Sequence, residues 1–244
     1  MESNEIQGIE KPNQLDGKNL PTFQWIPTGQ MILQFETPVD YINRMNDIYD
    51  EAVEDENPGE KNKLHEMNDK LIGKLENEWS VYLDDESDTE NHNYIPEDIH
   101  EWIKWRIYQY LDFCRVPYIG IKTHSAWIND YKAGEYNPLH RHFGGNGVYK
   151  NISHSTGLIG MMALKVPQDM GKEASNKKHK RNGRIDFVCS AGGRQFVEDS
   201  ILVNYTVGAF VVFPYDMLHC VYPHFNEEET RRTFPINFDV YQEF

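Results

Sequence analysis

Three histidines and an arginine are the residues of this chain best suited to chemistry. The segment Asn137-Pro138-Leu139-His140-Arg141-His142 carries two histidines two residues apart. In an extended segment that spacing puts both imidazoles on one face. A third, His219, follows the apolar run Ala209-Phe210-Val211-Val212-Phe213, which reads as a strand. Imidazole suits iron, zinc and copper, and a three-ligand face with open positions suits oxygen chemistry at Fe(II). Arg231-Arg232-Thr233 opens the next apolar segment and supplies a planar guanidinium fork for a carboxylate. A metal beside a carboxylate anchor is the equipment of oxidation with a 2-oxo acid as cosubstrate.

Two registers are open for the arginine. Strand alternation puts Arg231, Thr233, Pro235 and Asn237 on one face, with Arg231 the carboxylate anchor and Thr233 a second donor. The other register turns Arg232 inward. An arginine pair after Glu227-Glu228-Glu229 also reads as a plain surface cluster, since exposed ion pairs are common and weak. Asn129 and Tyr131 share a face with Trp127 and are candidates to line the same pocket. Trp127 itself reads better as core packing. His154 and His224 are spare imidazoles, with Pro223-His224 on a loop after the site.

The elements that must position these groups follow from pattern. Residues 1–20 are polar and aperiodic, a loose arm. Phe23-Gln24-Trp25-Ile26 and Met31-Ile32-Leu33-Gln34-Phe35 flank Pro27-Thr28-Gly29-Gln30 and read as a hairpin. Thr37 caps a helix with Pro38 at its first position and Val39, Ile42, Met45 and Tyr49 on one side. Leu64, Met67, Leu71, Leu75 and Trp79 predict a second helix. A third starts at Pro96, with Ile99, Trp102, Ile103, Ile107, Tyr110, Leu111 and Cys114 at helical spacing. From about Tyr118 the character turns to strands: Ile119 to Tyr131, Leu158 to Val166, Ile185 to Cys189, Gln195 to Tyr205, Ala209 to Phe213 after a Val207-Gly208 turn, and Phe234 to Tyr241. Helices followed by short strands with Gly/Pro turns predict helices packed on a jelly roll. The expected division is an arm at 1–20, a hairpin and helical support at 21–117, and a catalytic core at 118–244, in one compact domain.

Composition bounds the function. The chain has 244 residues, 39% hydrophobic and 26% charged, so it is globular. A net charge of −15 argues against general nucleic-acid binding. No apolar run is long enough to span a membrane, and Met1-Glu2-Ser3-Asn4-Glu5 does not begin a signal peptide. Three cysteines, Cys114, Cys189 and Cys220, fit neither a disulfide framework nor a zinc motif and point to a reducing cytoplasm. The basic insertion Lys172…Lys177-Lys178-His179-Lys180-Arg181…Arg184 is read as a solvated loop, with a lid or acidic-partner site as the alternative.

From about Ser125 to Val240 the chain resembles the 2-oxoglutarate/Fe(II) oxygenase superfamily. Within it the likeness is to the prolyl-4-hydroxylase-like branch common in phage and marine bacteria. That branch runs Trp-x-Asn, then Gly-x-Tyr-Asn-Pro-x-His-x-His, then Gly-x-x-x-x-Phe-Pro-x-x-x-x-His, then Arg-x-Ser/Thr. The matching residues are Trp127-Ile128-Asn129, Gly134 through His142, Gly208 through His219, and Arg231-Arg232-Thr233. The resemblance implies a mainly β chain with N-terminal α elements and a double-stranded β-helix (jelly-roll, cupin-like) core. It implies Fe(II) on His140, His142 and His219, and 2-oxoglutarate on Arg231 and Thr233, with ascorbate a candidate accessory reductant. It implies a dioxygenase consuming O2 and hydroxylating a peptidyl (prolyl among them) or small-molecule substrate in the cytoplasm of a bacterium or phage-infected host. One departure stands out. Most of the superfamily has a carboxylate two residues after the first histidine, and here that position is His142. Taking His142 as the first ligand instead puts Gly144 at the third position and leaves it empty. A metal enzyme that uses no 2-oxo acid and a silent β-sandwich binding module are the competing readings. Oligomeric state and substrate are left open by the sequence.

Overall fold

The computed structural model describes residues 29–54, 64–67, 73–84, 91–142, 148–149, 152–153, 156–173, 180–188, 200–203 and 205–242. The elements before the core are β1 (Leu33–Glu36), α1 (Val39–Glu54), β2 (His65–Glu66), β3 (Glu78–Leu83), β4 (His92–Asn93) and α2 (Glu97–Cys114). The core strands begin with β5 (Gly120–Tyr131), β6 (Asn137–His140), β7 (Val148–Tyr149), β8 (Ile152–Ser153) and β9 (Gly157–Lys165). They continue with β10 (Ile185–Val188), β11 (Ser200–Val203), β12 (Ala209–Pro214), β13 (His219–Val221) and β14 (Arg231–Tyr241).

Two antiparallel sheets face each other. The larger runs β1-β12-β9-β14-β5-β3-β2 with β4 beside β3, and the smaller runs β11-β10-β13-β6. The chain crosses between them: β5 to β6, β9 to β10 and β11, then β12, β13 and β14. That alternation is the double-stranded β-helix, and helices α1 and α2 cover the outer face of its larger sheet.

Strand β14 shows why. Phe234, Ile236, Phe238 and Val240 join Ile42, Met45, Ile99, Ile103 and Ile107 in a core between sheet and helices. The alternate residues, Arg231, Thr233, Pro235 and Asn237, turn to the lumen between the sheets. The lumen's apolar wall includes Ile159, Met161, Ile185, Phe187, Val211, Phe213 and Met217. A strand buried on both faces cannot slip register without burying charge where carbon belongs.

Several expectations need correction. The helix expected over Leu64 to Trp79 is absent among the described residues; β2 and β3 occupy its ends, and Leu71 lies outside them. Glu78-Trp79-Ser80-Val81-Tyr82-Leu83 is a run of strand formers, and pairing with β5 overrides the helical spacing. Of the expected Met31 to Phe35 arm, the strand β1 starts only at Leu33, and it pairs with β12, while residues 23–28, which include the expected partner arm, lie outside the described residues. Thr37 does not cap α1 through its side chain: its hydroxyl is buried without a partner, and its N–H donates to Gly208 O at 2.8 Å. Val39 lies off the helix's apolar face, 70% exposed. Pro96 does precede α2, and Gly208 takes the left-handed turn conformation (φ 86°) before β12. Among the described residues no helix is long and apolar enough to cross a membrane.

Candidate metal centre and carboxylate pocket

His140 and His219 face each other across the β6–β13 ladder of the smaller sheet. His142 lies just beyond β6, so the two residues of the His-x-His pair do not share one strand. Its backbone N–H donates to Tyr215 O at 2.9 Å, which ties it to the turn between β12 and β13. The three imidazoles converge, with one ligand atom from each within 4.8 Å of the others. Ring centroids lie 4.3 Å (His140–His219), 5.3 Å (His140–His142) and 5.2 Å (His142–His219) apart. Imidazoles on adjacent positions of one metal, with M–N near 2.1 Å, would have centroids roughly 4.5–5.2 Å apart.

Their protonation suits a cation. His140 Nδ1 lies 2.7 Å from Pro138 O, and His219 Nδ1 lies 2.9 Å from Met217 O. A carbonyl only accepts, so Nδ1 carries the proton on both rings and Nε2 keeps a lone pair. Burial pushes all three imidazoles below their ordinary range, His219 down to about 3 and His142 well down, with neighbouring imidazoles adding to the effect at His142 and His219. Each is therefore neutral at pH 7. Unfolded imidazoles titrate near 6.5. The three imidazoles therefore cost the apo protein no stability above that pH and destabilise it as pH falls toward 3, because the unfolded chain takes the protons first. Co(II) added at pH 7.5 should likewise release no proton from these rings. Calorimetry in two buffers of different ionisation heat checks this; release of about one proton per metal would show a charged imidazole at the site.

Trp127 does more than fill the core. It is buried, and its ring packs against His142 at 5.9 Å. Phe213 and Phe187 pack on His219 at 4.9 and 5.7 Å. The imidazoles are thus held by rigid aromatic walls.

The candidate carboxylate pocket lies on β14. Arg231 is 1% exposed, and none of its three guanidinium nitrogens has a hydrogen-bond partner among the described residues. Its guanidinium sits between the rings of Tyr131 (5.0 Å) and Tyr205 (5.2 Å). A buried cation without a counter-charge costs several kcal/mol, and none pairs with Arg231 among the described residues, so an anion placed here would offset that cost. Thr233 Oγ1 and Asn129 Oδ1 are also buried without partners. Asn129 and Thr233 are cross-strand neighbours, as are Tyr131 and Arg231. The Tyr131 hydroxyl accepts from Asn129 Nδ2 at 3.3 Å and Asn137 Nδ2 at 3.0 Å, which leaves its own proton to donate.

Arg232 faces the helices. It is paired with Asp130 (3.2 Å) and Asp50 (2.8 Å), donates to Asn46 at 3.0 Å, and stacks over Tyr49 at 3.8 Å. The structure brings His140, His142, His219, Arg231, Thr233, Asn129 and Tyr131 to the lumen, and it puts Arg232 elsewhere. His224 is buried with Nε2 3.1 Å from Tyr131 O and lies outside the histidine cluster. His154, Gly144 and the centre of the basic insertion fall outside the described residues.

Tyr205 and Glu78 were not anticipated. Tyr205 ends the mixed stretch Gln195 to Tyr205, which has no clear period. Glu78 is fully buried opposite Asn129, and burial, reinforced by the Glu135 carboxylate, pushes its acid up to about 8. An acid whose folded value exceeds its unfolded one opposes folding progressively as pH rises from about 4.5 to 8. Glu78→Gln should therefore raise the melting temperature at pH 8 by a few °C and change it little at pH 4.5. Equal shifts at both pH values would contradict this.

No family model matches the chain, and no curated protein matches its sequence. Solved structures do match. A Pseudomonas putida prolyl-4-hydroxylase aligns at 11% identity over 87% of this chain and 93% of its own, with a TM-score of 0.50. A Burkholderia pseudomallei oxidoreductase of the 2OG-Fe(II) oxygenase family aligns at 10% identity over 86% and 84%, with a TM-score of 0.50. HygX from Streptomyces hygroscopicus, solved with nickel, 2-oxoglutarate and hygromycin B, aligns at 7% identity over 87% and 83%, with a TM-score of 0.51. The chain has the double-stranded β-helix fold of the 2-oxoglutarate/Fe(II) oxygenases, the prolyl-4-hydroxylase-like ones included.

Proposed function

We propose that this chain is an Fe(II)- and 2-oxoglutarate-dependent dioxygenase. It hydroxylates a peptidyl or small-molecule substrate, prolyl residues being one candidate, with succinate and CO2 as coproducts. The observation that carries the reading is Arg231, a buried guanidinium with unpartnered nitrogens in the same lumen as three convergent neutral imidazoles.

The donor set fits the metal. Three nitrogen ligands with lone pairs held inward suit Fe(II) and leave positions open for other ligands. Iron bound there with 2-oxoglutarate supplies O2 activation coupled to oxidative decarboxylation. One oxygen atom enters succinate and the other enters the substrate as a hydroxyl.

The side chains do the rest. His140 and His219 are held in one tautomer by carbonyls of their own strand ends. Arg231 takes the distal carboxylate of the cosubstrate through a charge-assisted pair, and Thr233 and Tyr131 are placed to donate beside it. Tyr205 closes the guanidinium's other face and keeps water from it. Phe187, Phe213 and Trp127 make the surroundings dry.

The reading treats 118–244 as the catalytic core and 21–117 as its support, in a reducing cytoplasmic setting; Cys114 and Cys220 are both free thiols. Ascorbate is its accessory reductant. The test is product analysis. Iron-loaded protein in air should convert 2-oxoglutarate to succinate faster than free iron does, even without substrate. Succinate formation no faster than that of free iron would count against the reading.

A further inference from the structure

A cavity of about 660 Å³ opens between the C-terminal turn of α2 and the rim of the larger sheet. One of its walls is His142, and Tyr215, Leu158 and Val116 line others. Its size falls within the range of small-molecule sites.

Its chemistry is unlike the protein's surface. The chain carries a net charge of −15, yet among the described residues of the lining only Arg141 and Asp216 are charged, one of each sign. Most polar lining groups already have internal partners. Tyr110 OH donates to Met31 O at 2.9 Å, and Gln30 Nε2 donates to Asp216 at 2.9 Å. Thr156 Oγ1 donates to Val240 O at 3.1 Å, and Tyr215 OH donates to Asp239 at 3.4 Å. A ligand that needed many hydrogen bonds would have to break these. One that offers apolar area would not, and Met31, Leu111, Val116 and Leu158 give it surface to cover.

We infer that this cavity binds a neutral, predominantly apolar small molecule, and that it is the route by which substrate reaches the metal centre past His142. The second half rests on the proposed dioxygenase reading; the binding assignment does not.

Cys114 lies on the cavity lining as a half-buried free thiol. Its alkylation by iodoacetamide reports occupancy without reference to turnover. The protein would carry Cys189→Ser and Cys220→Ser, and the reaction would run at alkaline pH because burial pushes the Cys114 thiol up. The probes are indole, indole-3-acetate and the tripeptide amide acetyl-Gly-Pro-Ala. Indole at about ten times its Kd should slow alkylation about tenfold. Val116→Trp and Met31→Trp, each checked by thermal melting, should abolish that protection. Equal or better protection by indole-3-acetate would overturn the neutral class, and protection by the tripeptide alone would overturn the small-molecule assignment. Protection that survives both tryptophan variants would overturn the cavity. With Co(II) and 2-oxoglutarate present, indole should also change the cobalt visible spectrum. Protection with an unchanged spectrum would overturn the substrate route. A protein that takes up no Co(II) but is still protected by indole overturns the metal reading and leaves the binding assignment standing.

Discussion

Arg231→Leu should weaken 2-oxoglutarate binding at least about 30-fold while leaving metal affinity close to that of the parent. The guanidinium is buried, and its nitrogens have no hydrogen-bond partner among the described residues. A carboxylate there would make a fully desolvated pair. Removing one side of such a pair costs roughly 2–5 kcal/mol, or roughly 30- to 4,000-fold in Kd. The same change should raise the melting temperature of the apo protein, because it removes an uncompensated buried charge. Arg232→Ala should do the reverse. It strips the partner from buried Asp130 and loosens α1 from β14, costing about 3–5 kcal/mol of stability. The cosubstrate Kd of whatever folds should change little. Titration calorimetry and thermal melting on the two variants read these effects, and a swap of the two phenotypes would refute the assignment of the arginines.

His219→Gln should weaken Co(II) or Fe(II) binding by at least about 100-fold, well beyond a change in an outer partner. Glutamine keeps much of the volume between Phe187 and Phe213, so the fold should persist. His142 is the informative neighbour. His142→Asp replaces a neutral donor by a carboxylate and should retain metal while lowering the net charge at the site. His142→Ala should weaken binding, because two imidazoles remain. Metal affinity of His142→Ala equal to the parent's would make His142 a wall residue stacked between Trp127 and His219.

Much of this site could be read from the chain because it lies on strands with plain alternation. Arg231 and Thr233 face inward while Phe234 and Ile236 face the helices, and the period of two makes that visible in sequence. Helix α2 was equally plain, since its apolar stripe repeats at helical spacing. The stretch from Leu64 to Trp79 misled because apolar spacing at three and four residues also occurs where short strands meet a loop. Pairing with β5 decides the outcome there, and no local signal reports it. Glu78 was lost with that segment: without β3, nothing sets it opposite Asn129. Tyr205 sits after β11, outside any periodic run, and only the closure of the two sheets brings its ring to Arg231. Trp127 reads as core packing, and its contact with His142 is not visible in sequence because His142 lies beyond the end of β6.

The central claim is that one lumen holds both a three-histidine metal site and a 2-oxoglutarate carboxylate site. Anaerobic titration of 2-oxoglutarate into the Fe(II)-loaded protein, followed by visible absorption, tests it most directly. The account predicts a weak charge-transfer band that saturates near one equivalent of cosubstrate. In Arg231→Leu the band should need roughly 30-fold more cosubstrate or beyond. Iron bound by the histidines with no band at any 2-oxoglutarate concentration would contradict the account.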